Sequence, residues 1–213
     1  MSALRISEIF HSLQGDSRPA GYPTAFVRLT GCPLRCVYCD TSYAFQGGTR
    51  QTIAEVLDQV RTFGVRYVCV TGGEPLAQPA CLALLSALCD AGYAVSLETS
   101  GALDISAVDP RVTVVLDIKT PDSGESERNL WENIPRLKRD DQIKFVICSR
   151  PDYDWSKKVL AERQLDSRCE VLFSPSWGQL AARELAEWVL ADQLPVRFQL
   201  QLHKYLWGDA PGH

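Results

Sequence analysis

No run of about 18 apolar residues occurs anywhere in the chain, so no segment is expected to cross a membrane. Positive charge is not in excess either. Lys and Arg number 22 against 26 Asp and Glu, a formal net charge of −4. That balance argues against a standing nucleic-acid or anionic-membrane surface. The opening Met1-Ser2-Ala3-Leu4-Arg5-Ile6-Ser7-Glu8 has an acid where a secretory leader would have its apolar stretch, and the cytoplasm is the expected compartment. Internal repeats and low-complexity tracts are absent, and histidines number only three. What is present is a chain of 213 residues, 46% hydrophobic, enough to bury one core. One domain over residues 1–213 is expected.

Cysteine is plentiful, with eight in all. A disulfide framework is set aside, because a cytosolic chain of this length needs no covalent staples. Cys69, Cys81, Cys89, Cys148 and Cys169 lie in apolar surroundings and read as small buried hydrophobes. The other three stand at C-x3-C-x2-C within Gly31-Cys32-Pro33-Leu34-Arg35-Cys36-Val37-Tyr38-Cys39-Asp40-Thr41. Thiolates crowded in this way select soft metals: zinc, copper(I) or iron–sulfur clusters. A closed zinc site wants four ligands, and no fourth Cys or His follows at suitable spacing. A four-iron cluster on three cysteines keeps one iron open to a small molecule, which a catalytic centre needs. Ligand count and spacing favour that cluster over zinc.

The rest of the chain alternates between strand and helix patterns. Residues 4–13 read as an extended opening, and residues 17–23, with two Pro and a Gly, as a loop. Residues 25–29 form a short apolar strand interrupted by Arg28. Residues 51–64 read as a helix opened by a Thr52/Glu55 capping box, with Ile53, Val56, Leu57 and Val60 at helical spacing and a stop at Gly64. Strands are expected at 67–71, 94–98, 113–118, 143–148, 170–173 and 196–200. Further helices are expected at 79–91, 154–164 and 179–192, and a mobile polar loop at 122–128. Such alternation implies parallel strands with right-handed crossovers. A full eight-unit barrel takes about 250 residues, so an α/β fold with a partial, open barrel of about six parallel strands fits better. The open side would be closed by substrate, by loops or by a second copy, and a homodimer is expected.

The cysteine spacing, followed by Thr71-Gly72-Gly73-Glu74-Pro75, resembles the two signatures of the radical S-adenosylmethionine (SAM) superfamily. The resemblance implies a [4Fe-4S] cluster on Cys32, Cys36 and Cys39. Its open iron would chelate the amino and carboxylate groups of SAM, which is cleaved to methionine and a 5′-deoxyadenosyl radical. Gly72 and Gly73 lack side chains and would let backbone approach a ligand closely. Glu74 would serve as the anionic partner of the SAM amine.

A finer resemblance extends over nearly the whole chain. Leu13-Gln14-Gly15, Arg28 in Phe26-Val27-Arg28-Leu29, Asp40-Thr41, Glu98-Thr99-Ser100-Gly101 and His203-Lys204-Tyr205 resemble the 7-carboxy-7-deazaguanine synthase family. That family turns 6-carboxy-5,6,7,8-tetrahydropterin into 7-carboxy-7-deazaguanine with loss of ammonia, toward queuosine and other deazapurines. The resemblance implies SAM recycled as a cofactor, magnesium, and an electron donor such as flavodoxin or ferredoxin. Arg28 would offer a bidentate fork to the substrate carboxylate, where the plainer reading is an ion pair. Gln14 can both donate and accept, as a pterin edge requires, where the plainer reading is a solvated turn residue. Leu13, Gly15, Thr99 and His203 would complete the substrate contacts. Tyr38, Cys39, Asp40, Gly101, Asp117, Lys119 and Ser174 would contribute to SAM binding, although Asp117 and Lys119 read equally well as a strand-end salt bridge. Thr41 would ligate magnesium, its plainer reading being a turn or cap residue. No side chain is assigned as catalytic acid or base.

The family usually continues Leu-Gln-Gly with Glu-Gly, whereas this chain has Asp16-Ser17, which leaves open any role for Asp16. Residues 206–213 carry no assignment. Two other functions stand as alternatives: an activating enzyme for a glycyl-radical partner, and a non-catalytic zinc-binding module.

Overall fold

The computed structural model describes residues 3–208, 210 and 212; Pro211 and His213 of the unassigned terminus lie outside the described residues. In chain order the elements are β1 (Ala3–Leu13), β2 (Pro23–Leu29), β3 (Thr49–Thr52), α1 (Ile53–Thr62), β4 (Tyr67–Gly72), α2 (Ala80–Asp90), β5 (Ala94–Thr99), β6 (Thr113–Ile118), β7 (Gln142–Ile147), α3 (Arg150–Glu162), α4 (Leu165–Arg168), β8 (Glu170–Pro175), α5 (Ala182–Ala191), β9 (Arg197–Phe198) and α6 (Leu202–Trp207). The strands form one sheet in the order β3-β1-β2-β4-β5-β6-β7-β8-β9. From β2 through β9 every neighbouring pair is parallel, while β1 runs antiparallel to both β2 and β3. The open α/β sheet expected from alternation is present. The extended opening and β3 add an antiparallel edge that the alternation did not indicate.

Local chemistry accounts for the boundaries. The capping box at α1 is formed: the Thr52 amide donates to Glu55 Oε2 at 2.7 Å, and the Glu55 amide donates to Thr52 Oγ1 at 3.3 Å. Helix α3 begins a turn earlier than expected, because Ser149 caps it by accepting from the Asp152 amide and Pro151 suits the first turn. Residues 201–205 fall in helix α6 or at its entrance, and the last strand shrinks to two residues. The stretch expected to be a mobile loop, 122–128, instead contains two short 3-10 turns; the carbonyl of its buried Ser123 accepts from the Val37 amide at 3.0 Å.

Two apolar clusters lie under the helices. One joins β1, β2 and β4 to α1 and α2 through residues such as Val27, Val70, Leu84 and Leu85. The other joins β6, β7 and β8 to α3 and α5 through Phe145, Tyr153, Phe173 and Leu185. Each fully buried leucine here contributes about 1.5–3 kcal/mol from area alone. The opposite, concave face is polar. It is closed by the β1–β2 connection, which spans both halves of the sheet: the Arg18 amide donates to Gln142 Oε1 at 2.8 Å, and the Gly15 carbonyl accepts from the Leu202 amide at 3.1 Å. A loop of the chain itself, one of the three expected closures, thus reaches across this face.

Candidate active site

The concave face holds a cavity of about 530 Å³ at the C-terminal ends of the parallel strands. Cys32, Cys36 and Cys39 all line it as half-buried free thiols. Their loop is fixed mostly by backbone. The Gly31 amide donates to the Ala44 carbonyl at 2.8 Å, and the Glu74 amide donates to the Gly31 carbonyl at 2.7 Å. Arg35 Nη1 donates to the Cys32 and Leu34 carbonyls at 2.8 and 2.6 Å while its guanidinium stacks over Phe45. Burial pushes the Cys36 thiol up to about 11, with Lys119 pulling the other way. Metal binding would therefore have to deprotonate the Cys36 thiol. Among the described residues, no three His, Cys, Asp or Glu side chains gather as one metal ion would require.

The Gly72-Gly73 pair is small for a reason different from the one expected. A Cβ on Gly72, at φ +152°, would collide with the Leu29 carbonyl oxygen, and one on Gly73 with the Gly31 carbonyl. The glycines line the cavity, but first of all they let the cysteine loop pack against β4. The Glu74 carboxylate does not line the cavity; it is fully buried and accepts from Ser100 N (2.7 Å), Ser100 Oγ (2.6 Å), Thr99 Oγ1 (2.9 Å) and Leu76 N (3.0 Å). Through these bonds Glu74 ties the end of β5 to the start of the segment after the cysteine-loop contact. The Thr99 hydroxyl is tied up in the same set of bonds, although Thr99 itself lines the cavity.

The expected substrate residues gather on the walls. Arg28 lines the cavity and is also ion-paired: its Nε donates to Glu8 Oε1 at 2.7 Å, and Tyr43 Oη donates to the same oxygen at 2.7 Å. Burial works against the Arg28 charge, but Tyr43, Glu8 and Asp40 outweigh it and hold its pKa above the ordinary value. Gln14 is buried, its Nε2 directed at Glu98 Oε1 at 3.3 Å and its Oε1 accepting from the Gly15 amide at 2.8 Å. Leu13 lines the cavity beside it. A Cβ on Gly15 would collide with His203 Nδ1, so this glycine makes room for the C-terminal helix as well as for any ligand. Asp40 Oδ2 lies 3.3 Å from Lys204 Nζ and 3.9 Å from His203 Nε2. Enclosure opposes its charge, but His203, Lys204 and Arg28 hold its carboxyl well below the usual carboxylate range.

Tyr38, Asp117 and Lys119 form a third wall. Lys119 Nζ bonds Asp117 Oδ2 at 2.9 Å and lies 5.6 Å from the centre of the Tyr38 ring. The salt-bridge reading of Asp117 and Lys119 is thus correct, and it lies inside the cavity. Tyr38 Oη and Asp117 Oδ1 are buried without a hydrogen-bond partner among the described residues. Buried polar atoms are normally satisfied, so this wall suits a ligand bearing polar groups, as SAM does. Thr41 lines the cavity at the N-cap position of a 3-10 turn, yet its hydroxyl makes no capping bond and lies 3.8 Å from Cys39 Sγ. Gly101 and Ser174 are not among the residues that line the cavity. Gly101 turns the chain at φ +73°, and Ser174 is fully buried on β8.

Lys144, Ser176 and Trp177 line the cavity without having been singled out from sequence, and so do Glu98 and Lys204, which were quoted there without a role. For Lys144 a signal existed: a lone cation inside the apolar strand Ile143-Lys144-Phe145, the same signal that marked Arg28.

A family model for the radical SAM superfamily matches residues 26–160. The chain is 50% identical over 213 residues to the 7-carboxy-7-deazaguanine synthase of Chlorobaculum tepidum, covering 98% of this chain and 97% of that one. It is 40% identical to the synthase of Methanospirillum hungatei, covering 96% and 86%. Among solved structures, the crystal structure of QueE from Escherichia coli superimposes with a TM-score of 0.79 at 24% identity, covering 95% of this chain and 96% of that one. That last likeness speaks for the fold.

Proposed function

The chain belongs to the radical SAM superfamily and, within it, to the 7-carboxy-7-deazaguanine synthases, and from that premise we propose that it converts 6-carboxy-5,6,7,8-tetrahydropterin to 7-carboxy-7-deazaguanine with loss of ammonia, on the way to queuosine. One observation carries the reading. Leu13-Gln14-Gly15, Arg28, the cysteine loop, Thr99 and His203, widely separated in sequence, all line a single cavity.

Within that cavity Cys32, Cys36 and Cys39 would hold a [4Fe-4S] cluster, and the cluster with SAM supplies one-electron chemistry able to take hydrogen from a substrate carbon. Tyr38, Asp117 and Lys119, with the backbone of Cys39, Asp40, Gly72 and Gly73, would bind SAM, the unpartnered Tyr38 and Asp117 oxygens supporting that assignment. Gly101 and Ser174, which do not line the cavity, would contribute to the same site. Arg28, with Nε already on Glu8, would present its outer nitrogens to the substrate carboxylate. Gln14, Gly15, Leu13, Thr99 and His203 would enclose the ring and exclude water. Magnesium would sit by Thr41, completed by substrate and water oxygens, since it prefers octahedral oxygen ligands. An electron donor such as flavodoxin or ferredoxin, a homodimeric assembly and a cytoplasmic setting belong to the same proposal. No helix among the described residues is long and apolar enough to cross a membrane.

The test is anaerobic incubation of the reconstituted protein with SAM, reductant and 6-carboxytetrahydropterin, followed by mass analysis. A product lighter by ammonia is expected. A protein carrying about four irons that leaves the pterin unchanged would contradict the proposal.

A further inference from the structure

A pair on the cavity wall has no part in the function proposed above. Lys144 stands within β7, where all six residues are buried, and lines the cavity. A buried ammonium is costly unless it is paired. Its partner is Asp16, on the β1–β2 connection, with Nζ 2.5 Å from Oδ2. The two residues are 128 positions apart, so this ion pair forms only in the closed fold. Burial opposes the Lys144 charge, but Asp16, Asp117 and Glu98 outweigh it and hold its pKa above the ordinary value, keeping it a cation at neutral pH.

Asp16 is only half satisfied. Its second oxygen, Oδ1, is buried without a hydrogen-bond partner among the described residues, although Asp16 lines the cavity. A carboxylate placed only as a strut would be expected to have both oxygens bonded. The loop that carries it is fixed: Gln14 Oε1 accepts from the Gly15 and Asp16 amides at 2.8 and 3.3 Å, and Gln14 Nε2 points at Glu98. The wall therefore holds, side by side, one unused acceptor and an ammonium with N–H groups beyond the bond to Asp16. That is the complement of a lactam edge, in which a ring N–H adjoins a ring carbonyl.

We propose that Asp16 and Lys144 read the lactam edge of the substrate's pyrimidinone ring, Asp16 Oδ1 accepting from the ring N–H and Lys144 Nζ donating to the neighbouring carbonyl. The inference rests on the pterin substrate proposed above. It makes the pair a specificity determinant: a 4-amino ring would turn a donor toward the ammonium and offer Asp16 no N–H. A site built to pair with a polar group strongly rejects an analogue that leaves the site's own groups unpaired. It also gives a role to Asp16, the acid at the Asp16-Ser17 departure.

The experiment uses the cluster-loaded full-length protein with SAM, under anaerobic conditions. Equilibrium binding of 6-carboxypterin and of its 4-amino analogue is measured for wild type, Asp16→Asn and Lys144→Gln, with iron content and SAM affinity as controls. Wild type should prefer the 4-oxo ring by about a hundredfold or more. Both variants should lose most of that preference with iron and SAM binding intact. Asp16→Asn retains a hydrogen-bond partner for Lys144 and carries the test if Lys144→Gln fails to fold. Variants that bind SAM and keep the wild-type preference would reduce the pair to a strut and overturn the inference. A wild type that binds neither pterin and leaves 6-carboxytetrahydropterin unconsumed would instead overturn the substrate reading, and the inference with it.

Discussion

Two walls of one cavity are held in contrasting ways. The wall bearing the cysteines is fixed by backbone: the Gly73 amide donates to the Leu29 carbonyl at 3.0 Å, the Glu74 amide to Gly31, and the two glycines leave no room for a Cβ. The wall made by the β1–β2 connection and the C-terminal helix has one backbone bond between its two parts, Leu202 to Gly15, and is tied to the rest of the cavity by charged and polar side chains: Asp16 with Lys144, Asp40 with Lys204 and His203, Gln14 with Glu98. Backbone bonding fixes position whatever the side chains, which suits a loop that must hold three thiols in one geometry. Side-chain pairs set polarity and shape, which suits recognition. The contrast predicts that damage to the first wall removes the metal centre, whereas damage to the second wall and to Arg28 spares it and costs substrate binding.

The largest effect should come from Gly73→Ala, which forces a methyl group into the Gly31 carbonyl. It should lose most of its iron and its activity, as should Cys32→Ala, Cys36→Ala and Cys39→Ala, each of which removes a cluster ligand. Cys81→Ala, in the apolar cluster under α2, should keep its iron. Iron and sulfide analysis after anaerobic reconstitution checks this, and full loading of Gly73→Ala would break the comparison. Next comes Arg28→Ala. Removing one partner of a buried charged contact costs roughly 2–5 kcal/mol. Pterin binding should weaken accordingly while SAM binding and iron content stay near wild type. Equilibrium binding showing the reverse would move Arg28 to the SAM side.

A smaller effect concerns pH. The Asp40 carboxyl is held below its ordinary value by His203, Lys204 and Arg28, against its enclosure. A depressed pKa contributes stability above the unfolded value, about 3.9 for Asp, and that stability is lost as pH falls through the folded value. The stability difference between wild type and Asp40→Asn should therefore be flat from neutral pH down to about pH 5 and shrink only below about pH 4. Denaturant melts across that range measure it, and a difference that persists unchanged well below pH 4 would contradict the depressed carboxyl. The smallest effect should be that of Thr41→Ala, which should raise the magnesium concentration for half-maximal rate several-fold and leave cluster content alone. Magnesium dependence equal to wild type would leave Thr41 as a turn residue.

How much could be read from sequence follows the same division. The cysteine loop and Gly72-Gly73 were legible because their chemistry lies in contiguous residues. The reason for the glycines was not, since the Leu29 and Gly31 carbonyls that exclude a Cβ become neighbours only when β2 and β4 pair. The bonds that Glu74 makes were not legible, because their donors Thr99 and Ser100 come from the end of β5 and the residue after it, one strand away. Lys144 was passed over while Arg28 was noticed, although both are lone cations in apolar strands, because Arg28 also lay in a stretch that carried the resemblance. Strand β3 is Thr49-Arg50-Gln51-Thr52, polar throughout, and only its pairing with β1 makes it a strand.

The central claim is that both walls serve one small-molecule rearrangement in which SAM is regenerated. The most direct test is to count product and 5′-deoxyadenosine in the same anaerobic vessel over many turnovers. The account predicts 7-carboxy-7-deazaguanine in large excess over 5′-deoxyadenosine. One SAM consumed per product, or 5′-deoxyadenosine formed with no deazaguanine at all, would contradict it.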